Sequence, residues 1–510
     1  MNLSHWIDRH AAFTPNKTAL VCGQHALSYF DLDCRIGQMA NALAGQGVVT
    51  GDRVAHLGYN SAEQILLLFA CARLGAMFAP LSWRLAPPEH RAMLVDCQPR
   101  LMLVDEFFVE AITSLSDVLG GTVCVCMGPA RLGWLALDVL LSGVRTESQL
   151  ASYDGMDAPV LLCYTSGSTG QPKGVVLTQN ALFYNAVNSA HMHDMTSADV
   201  ILTSLPLFHV GGLNIQTLPA LHCGASVILQ PRFEPGSVID ALQTQGVTLT
   251  VLVPAQLELL SSEPRWARMQ APTLRAITTG STIIGAASYR KHMRSDVPLL
   301  QVYGATETCP IAAYQRVHDA AQHPGSVGKV ALHCELRVTD PTGQDVPKGM
   351  AGEIWIRGPN VMQGYWAKPA ESAAALADDW YHSGDVGHQD ADDFLYVDGR
   401  CKDVIISGGE NIYPAELENV LSQCPDIVEV AVVGRPDEHW GERVVAVVVP
   451  QPGKYISAAR IAELLEGRVA RYKLPREVLV VQSLPRTALG KLMREKLKTA
   501  VRRENSVDAA

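Results

Sequence analysis

The sequence predicts an α/β protein with a large N-terminal domain, built from two βαβ-type subdomains and a β-rich subdomain, followed by a small α+β domain. Three observations carry that prediction. From Asp52 to about Leu300, short β-branched runs alternate with helical patterns in two successive series. After about Gly325 the long helices stop, and strand-like runs are separated by Gly, Pro and Asp turns. From about Val404 the chain carries its own helices and strands over roughly a hundred residues, a usual domain size.

The first series opens with DRVAHLG and continues through the apolar-rich helix SAEQILLLFACARLG to the strand AMFAPL. A helix opened by Pro87 and Pro88 follows, where a missing N–H costs nothing. The strands RLMLVD and TVCVCM, with another helix between them, complete it. The second series runs DVILTSL, ASVILQ, VTLTVLV, LRAITT and LLQV, again with helices between. Nearly continuous apolar strands read as parallel sheets covered on both faces. ELRVTD, GEIWIRG and FLYVDG then suggest an antiparallel segment. The last stretch reads as a helix at PAELENVLSQ, strands at IVEVAVV and RVVAVVV, a helix near ISAARIAELLEGRVA, a strand at REVLVV and a basic terminal helix. The boundary is expected near Asp398–Lys402, dividing the chain into residues 1–398, a connection at 399–402, and residues 403–510.

Composition narrows the function. The 510 residues are 48% hydrophobic and 18% charged, with a formal net charge of −10, which argues against a dedicated nucleic-acid binder. Residues 467–510 nevertheless hold 11 bases and 4 acids. A basic tail on an acidic body suits a polyphosphate ligand, and equally a solvated helical surface. The twelve cysteines include no C-x-x-C pair, so neither a zinc ribbon nor a disulfide framework is indicated. The N-terminus lacks a basic-then-apolar leader, and the longest apolar tract, Ile65 to Ala72, is too short to span a bilayer. No transmembrane segment is expected, and the protein is expected to be cytoplasmic.

The most informative segment is TSGSTGQPKG, from Thr165 to Gly174, set between APVLLCY and GVVLT. Glycines let a backbone approach anionic oxygens, and hydroxyls with successive N–H groups can surround phosphates. It is not a Walker A loop, and composition alone also fits a plain hairpin loop. The order of its residues resembles the phosphate loop of the adenylate-forming superfamily, which contains acyl-CoA synthetases, adenylation domains and luciferases. The resemblance covers nearly the whole chain. LPLFHVGG (Leu205–Gly212), TTGST (Thr278–Thr282), YGATE (Tyr303–Glu307), YHSGD (Tyr381–Asp385), GRCKDVIISGGENIYPAELE (Gly399–Glu418) and PRTALGK (Pro485–Lys491) follow in the family's order.

The resemblance implies an ATP site and assigns its residues. Thr165, Ser166, Gly167, Ser168, Thr169 and Gly170, with Lys173, would surround the phosphates, and Gly280 would lie nearby. Tyr303 can stack on adenine. Thr306 would contact phosphate, and Glu307 would supply an oxygen to Mg2+, which usually takes one or two carboxylates plus substrate phosphates. Asp385, read as a carboxylate at a turn, can accept both ribose hydroxyls; an ordinary turn aspartate is the plain alternative. Arg400 resembles the second ribose and phosphate contact, where a surface salt bridge competes. Lys402 matches the family's hinge. Lys491 would bridge the substrate carboxylate and the α-phosphate as charge moves to pyrophosphate, although it could be one more surface lysine. Gly408 and Gly409 would line the channel for the pantetheine arm of CoA.

By motif position His209, Val210, Gly211, Val302, Gly304 and Cys309 should face the acyl group, with Gly280 nearby. None of these is Lys or Arg, and relatives that activate malonate have Arg where this chain has Val302, so an unpaired second carboxylate would be costly here. An apolar or aromatic monocarboxylate, of fatty or cinnamate- or benzoate-like type, is therefore expected. His209 reads either as a gate or hydrogen-bond donor, or as a packed side chain. The implied activity is that of an AMP-forming acyl-CoA synthetase using ATP, CoA and Mg2+. An o-succinylbenzoate-CoA ligase, an enzyme loading a separate carrier protein and a non-catalytic relative are the alternatives. Partners are expected to be small molecules, without nucleic acid, and a homodimer is compatible with the sequence.

Overall fold

The structure, a computed structural model, describes residues 2–146, 153, 155–166, 172–280, 294, 297–407, 410–437, 440–486 and 492–503. Its large N-terminal part holds two mixed, mainly parallel sheets and a four-stranded antiparallel sheet.

The eight-stranded sheet has Arg53–Leu57 and Met77–Leu81 at its centre, each β-branched or apolar run buried on both faces. At one side Pro159–Ser166 pairs antiparallel with Pro172–Thr178, with Thr165 opposite Lys173. The nine-stranded sheet contains the second series in the order Leu299–Tyr303, Ala276–Thr279, Leu249–Val251, Val200–Thr203, Ser226–Leu229. It differs from the sequence reading in one respect. Thr18–Cys22, which precedes the first series, crosses over to pair in parallel with Ser226–Leu229, so each sheet is not one contiguous stretch of chain.

Helix Ala62–Leu74 explains its own apolarity. Ile65 through Ala72 are all buried in the one core cluster that also takes side chains from both sheets. A helix apolar all round is a buried helix, and Gly75 ends it at φ 70°, a left-handed position that glycine occupies without strain. Among the described residues no helix is long and apolar enough to cross a membrane.

The antiparallel sheet takes Glu335–Thr339, Gly352–Arg357, Tyr381–Gln389 and Leu395–Arg400 in order. A short turn, Cys401–Asp403, follows at once. Beyond it lies a five-stranded sheet built on the hairpin Ile427–Asp437/Gly441–Pro450. Period-two alternation along Ile427–Asp437 divides two small cores. Val432 packs with Leu417 and Leu421 of helix Pro414–Leu421, and Ala431 and Val433 pack with Leu497 and Val501 of helix Arg494–Arg503.

Candidate active site

The nine-stranded sheet delivers Tyr303 at the end of strand Leu299–Tyr303, and the antiparallel sheet delivers Asp385 and Arg400 as direct cross-strand partners. The Tyr303 hydroxyl donates to Asp385 Oδ2 at 2.8 Å, and Arg400 Nε meets Asp385 Oδ1 at 2.6 Å. Ser383 completes the group. Its hydroxyl accepts from the Asp385 N–H at 3.0 Å, and its carbonyl accepts from an Arg400 guanidinium nitrogen at 3.2 Å. Burial, reinforced by the Asp385 charge, pushes the Tyr303 phenol well above its ordinary range, so it remains a donor. Asp385 thus stands inside strand Tyr381–Gln389 and not at a turn, which corrects the sequence reading. Arg400 is salt-bridged, but to this buried carboxylate: the side chains are 40% and 11% exposed respectively.

Past Tyr303 the chain makes a close turn. A Cβ on Gly304 would lie 1.8 Å from the Pro310 carbonyl oxygen, so only glycine fits. The turn Thr306–Thr308 follows, with Thr306 itself buried, and presents Glu307. Its Oε1 accepts the Tyr365 hydroxyl at 2.8 Å, and its carbonyl accepts the Met362 N–H at 2.7 Å. The Lys173 ammonium lies 5.0 Å from the Tyr365 ring centroid, which brings the end of the hydroxyl-rich loop to the same corner. Burial and Glu307 together hold the Tyr365 phenol protonated. Tyr381 is buried within reach of the fields of Glu307, Tyr365, Asp385 and Tyr303.

Val302, which precedes Tyr303, packs directly on Gly280, and Cys309 closes the turn that presents Glu307. A Cβ on Gly280 would sit 2.7 Å from the Val302 carbonyl oxygen and 2.9 Å from its Cγ1, so the two positions are in direct contact. Cys309 is fully buried, accepts a hydrogen bond at Sγ from Asn214 Nδ2 at 3.4 Å, and is held as a thiol by burial. His209 caps the short helix Val210–Gly212, its Nδ1 accepting the Gly211 N–H at 3.0 Å. That bond fixes the neutral tautomer with hydrogen on Nε2, the form able to act as a donor. The helix continues as a π-helical turn, Leu213–Thr217, a geometry frequent at functional sites.

The structure therefore brings together Tyr303, Asp385 and Arg400, places Glu307 and Lys173 at one corner, and sets Val302 against Gly280, with Cys309 buried against Asn214. Gly167, Ser168, Thr169, Gly170, Gly408, Gly409 and Lys491 lie outside the described residues, as does the side chain of Ser166. Lys402 lies in the turn Cys401–Asp403. Tyr365, Tyr381 and Ser383 were missed as site residues. Tyr381 and Ser383 lie inside the quoted YHSGD segment, whereas Tyr365 carries no sequence signal beyond being an aromatic in a short GYW run.

The donor set also suits a magnesium ion. Among the described residues no group of three metal-binding side chains occurs. A lone carboxylate with one oxygen held by a tyrosine fits an ion that keeps substrate phosphates and water as its other ligands.

A buried carboxylate bonded to a phenol and a guanidinium, with a second carboxylate held by a tyrosine, forms a polar group that comparison with known proteins sets in a family. The chain belongs to the AMP-binding enzyme family, whose profile matches residues 7–366, and residues 416–491 match the AMP-binding enzyme C-terminal domain. It is an acid–thiol ligase of the AMP-forming type, with ATP and CoA as the substrates of that type. An indoleacetate–CoA ligase of Aromatoleum aromaticum is 51% identical over 508 residues, covering 100% of both chains. A feruloyl-CoA synthase of an Amycolatopsis species is 38% identical, covering 97% of this chain and 98% of that protein. The anthranilate CoA ligase AuaEII in complex with anthranoyl-AMP superposes with a TM-score of 0.90 at 26% identity, covering 99% and 98%.

Proposed function

We propose that this ligase acts on an aromatic monocarboxylic acid of the arylacetic type, joining it to CoA through an acyl-adenylate. The observation that carries the proposal is the uncharged, buried Val302 packed directly on Gly280 at the position preceding Tyr303. An acyl group beside that pair finds apolar contact, and a second carboxylate there would lack a partner. The full-length likeness to a protein named for indoleacetate supports the same chemistry.

In this reading Asp385 accepts the ribose hydroxyls. Tyr303 lies along the adenine, its hydroxyl anchored on Asp385 and its ring confined by burial. Arg400 balances the Asp385 charge and faces the α-phosphate side. Thr165, Ser166, Thr306 and Lys173 take phosphate oxygens. Glu307, oriented by Tyr365, would hold Mg2+, which supplies charge neutralisation to the leaving pyrophosphate when bound. The acid's carboxylate oxygen attacks the α-phosphorus, and pyrophosphate leaves. The thiol of CoA then attacks the acyl carbon and AMP leaves. No protein nucleophile is needed, because rate comes from positioning and from fixed charge. Lys491 supplies the ammonium for the first step, Lys402 is the pivot about which residues 403–510 turn, and Gly408 and Gly409 admit the pantetheine arm for the second. Cytoplasmic residence, where ATP and CoA are pooled, and assembly as a homodimer complete the proposal; light scattering tests the latter.

ATP–pyrophosphate exchange over indoleacetate, phenylacetate, ferulate, a long-chain fatty acid, malonate and o-succinylbenzoate tests the substrate class. An arylacetate is expected to give the highest kcat/KM. A dicarboxylate or a fatty acid exceeding every arylacetate by about tenfold or more would overturn the assignment. Lys491→Ala is expected to abolish exchange while a supplied acyl-adenylate is still converted to thioester. Equal loss of both half-reactions would remove Lys491 from the first step.

A further inference from the structure

The connection between the two lobes and the helix that follows Lys491 are tied by a compact ionic cluster that the chemistry above does not use. Lys498, on helix Arg494–Arg503, donates through Nζ to the carbonyl oxygen of Lys402 at 3.0 Å and lies 3.4 Å from Asp403 Oδ1. Arg494, one turn earlier on that helix, meets Glu418 at 2.7 and 2.8 Å, donates to the Val432 carbonyl at 2.8 Å, and lies 3.7 Å from Asp403 Oδ2. The side chains of Lys498 and Asp403 are 13% and 10% exposed, so these charges are held by one another with little help from water. Leu497 and Val501, on the same helix, are buried in the core behind Ile427–Asp437, so the helix cannot shift without opening that core.

The position of the accepting carbonyl matters. The oxygen of Lys402 belongs to the peptide unit that follows the φ and ψ of Lys402. It therefore moves with residues 403 onward when those two angles change. The bond from Lys498 survives such a rotation and stiffens its far side. At the other end, Arg486 and Leu492 face each other as an antiparallel bridge, and helix Arg494–Arg503 starts two residues later. The segment ending in Lys491 is thus flanked on both sides by residues fixed to the cluster-bearing lobe.

We infer that Lys498 and Asp403, with Arg494, form a strut that transmits the angle set at Lys402 to the segment carrying Lys491, so that Lys498 is a positioning residue for adenylate formation. The inference rests on the acyl-adenylate reading above. Without the strut, the connecting turn and the terminal helix move independently, and a misplacement of the order of 1 Å at the reacting ammonium costs up to about a hundredfold in rate. Thioester formation from a preformed adenylate does not use that ammonium, so it is nearly spared.

The test compares wild type, Lys498→Met, Lys498→Arg and Asp403→Asn as full-length protein. Lys498→Met is expected to lower kcat of pyrophosphate exchange roughly ten- to a hundredfold with KM for ATP within about twofold, while thioester formation from supplied acyl-adenylate changes by less than about threefold. Lys498→Arg is expected to restore most of the exchange rate, and Asp403→Asn to fall between. Equal losses in both half-reactions, a change confined to KM, or no rescue by arginine would overturn the inference. Hydrogen exchange reads the strut without turnover: in Lys498→Met, protection is expected to fall together in residues 401–404 and 492–499. A fall in one segment alone would overturn the strut even if no acid in the panel supports exchange, and that second outcome would instead fail the functional proposal. If Lys498→Met does not fold, Lys498→Gln, which keeps a donor for the carbonyl without the charge, is read by the same measurements.

Discussion

Replacing Val302 by glycine tests whether its contact with Gly280 borders the acyl group. Val302 is buried and its Cγ1 reaches within 2.9 Å of where a Cβ on Gly280 would be, so its side chain closes space that Gly280 leaves open. Removing three carbons forfeits about 2 kcal/mol of burial at about 0.8 kcal/mol per buried methylene. A glycine inside strand Leu299–Tyr303 adds about 0.5–1 kcal/mol of backbone entropy. The variant should thus lose about 3 kcal/mol of stability and still fold. An acid large enough to occupy the vacated space regains about 2 kcal/mol of contact, whereas a smaller acid gains none. The ratio of kcat/KM for indoleacetate over phenylacetate should therefore rise about thirtyfold relative to wild type. Steady-state thioester formation with the two acids measures that ratio, with thermal unfolding as the check on folding. A folded variant whose ratio stays within about twofold of wild type would show that Val302 does not border the acyl group.

Other consequences follow from the same geometry. Tyr365→Phe removes the hydroxyl held by Glu307 Oε1, so half-saturation by Mg2+ in pyrophosphate exchange should rise about tenfold with little change in thermal stability; an unchanged titration would detach Glu307 from the metal. Gly304→Ala should lower the unfolding temperature and remove activity together, because its Cβ would overlap the Pro310 carbonyl oxygen; a soluble variant with wild-type turnover would contradict the close approach. Burial depresses His193 and His222 to about 4 and His56 to about 3, so these rings are neutral in the fold but take up a proton near pH 6.5 when unfolded. Their contribution is complete above that pH and is lost as pH falls toward 4. Urea unfolding should therefore show a loss of about 1–2 kcal/mol for each of the three between pH 7.5 and pH 5. A flat profile over that interval would refute it.

The strands and helices were legible because their apolar runs are long and regular. The helix over residues 62–74 coincides with its sequence pattern almost residue for residue, and the strands expected at IVEVAVV and RVVAVVV form but extend to Asp437 and back to Gly441 as one hairpin. Sheet membership was not legible. Pairing of Thr18–Cys22 with Ser226–Leu229 spans some two hundred residues, and nothing local in TALVC specifies which apolar edge it will meet. Ser-Gly-Asp is turn chemistry and points to a turn at Asp385, yet tertiary pairing with Arg400 draws the segment into a strand. Tyr365 shows the limit most plainly. It reaches Glu307 across 58 residues of sequence, and only the fold can put a phenol against a carboxylate at that separation.

Arg400 joins two parts of the reading that the sequence kept apart. Its guanidinium closes on Asp385, the proposed ribose carboxylate, while its backbone ends the last strand before the turn at Cys401–Asp403. Only Cys401 separates it from Lys402, whose carbonyl holds Lys498. An Asp385 that accepts ribose hydroxyls gives up part of its charge to the sugar, and Arg400 must share its own between that carboxylate and the incoming phosphate. The nucleotide then acts on a residue two positions before the proposed pivot, so occupancy of the site and the angle of the small lobe are linked through one short stretch of chain. A nucleotide without an α-phosphate, such as adenosine, should therefore occupy Asp385 and Tyr303 yet leave hydrogen exchange at residues 401–404 unchanged, whereas ATP should slow it. Equal protection by both ligands would mean that ribose contact alone sets the connection and that Arg400 carries no signal between the lobes.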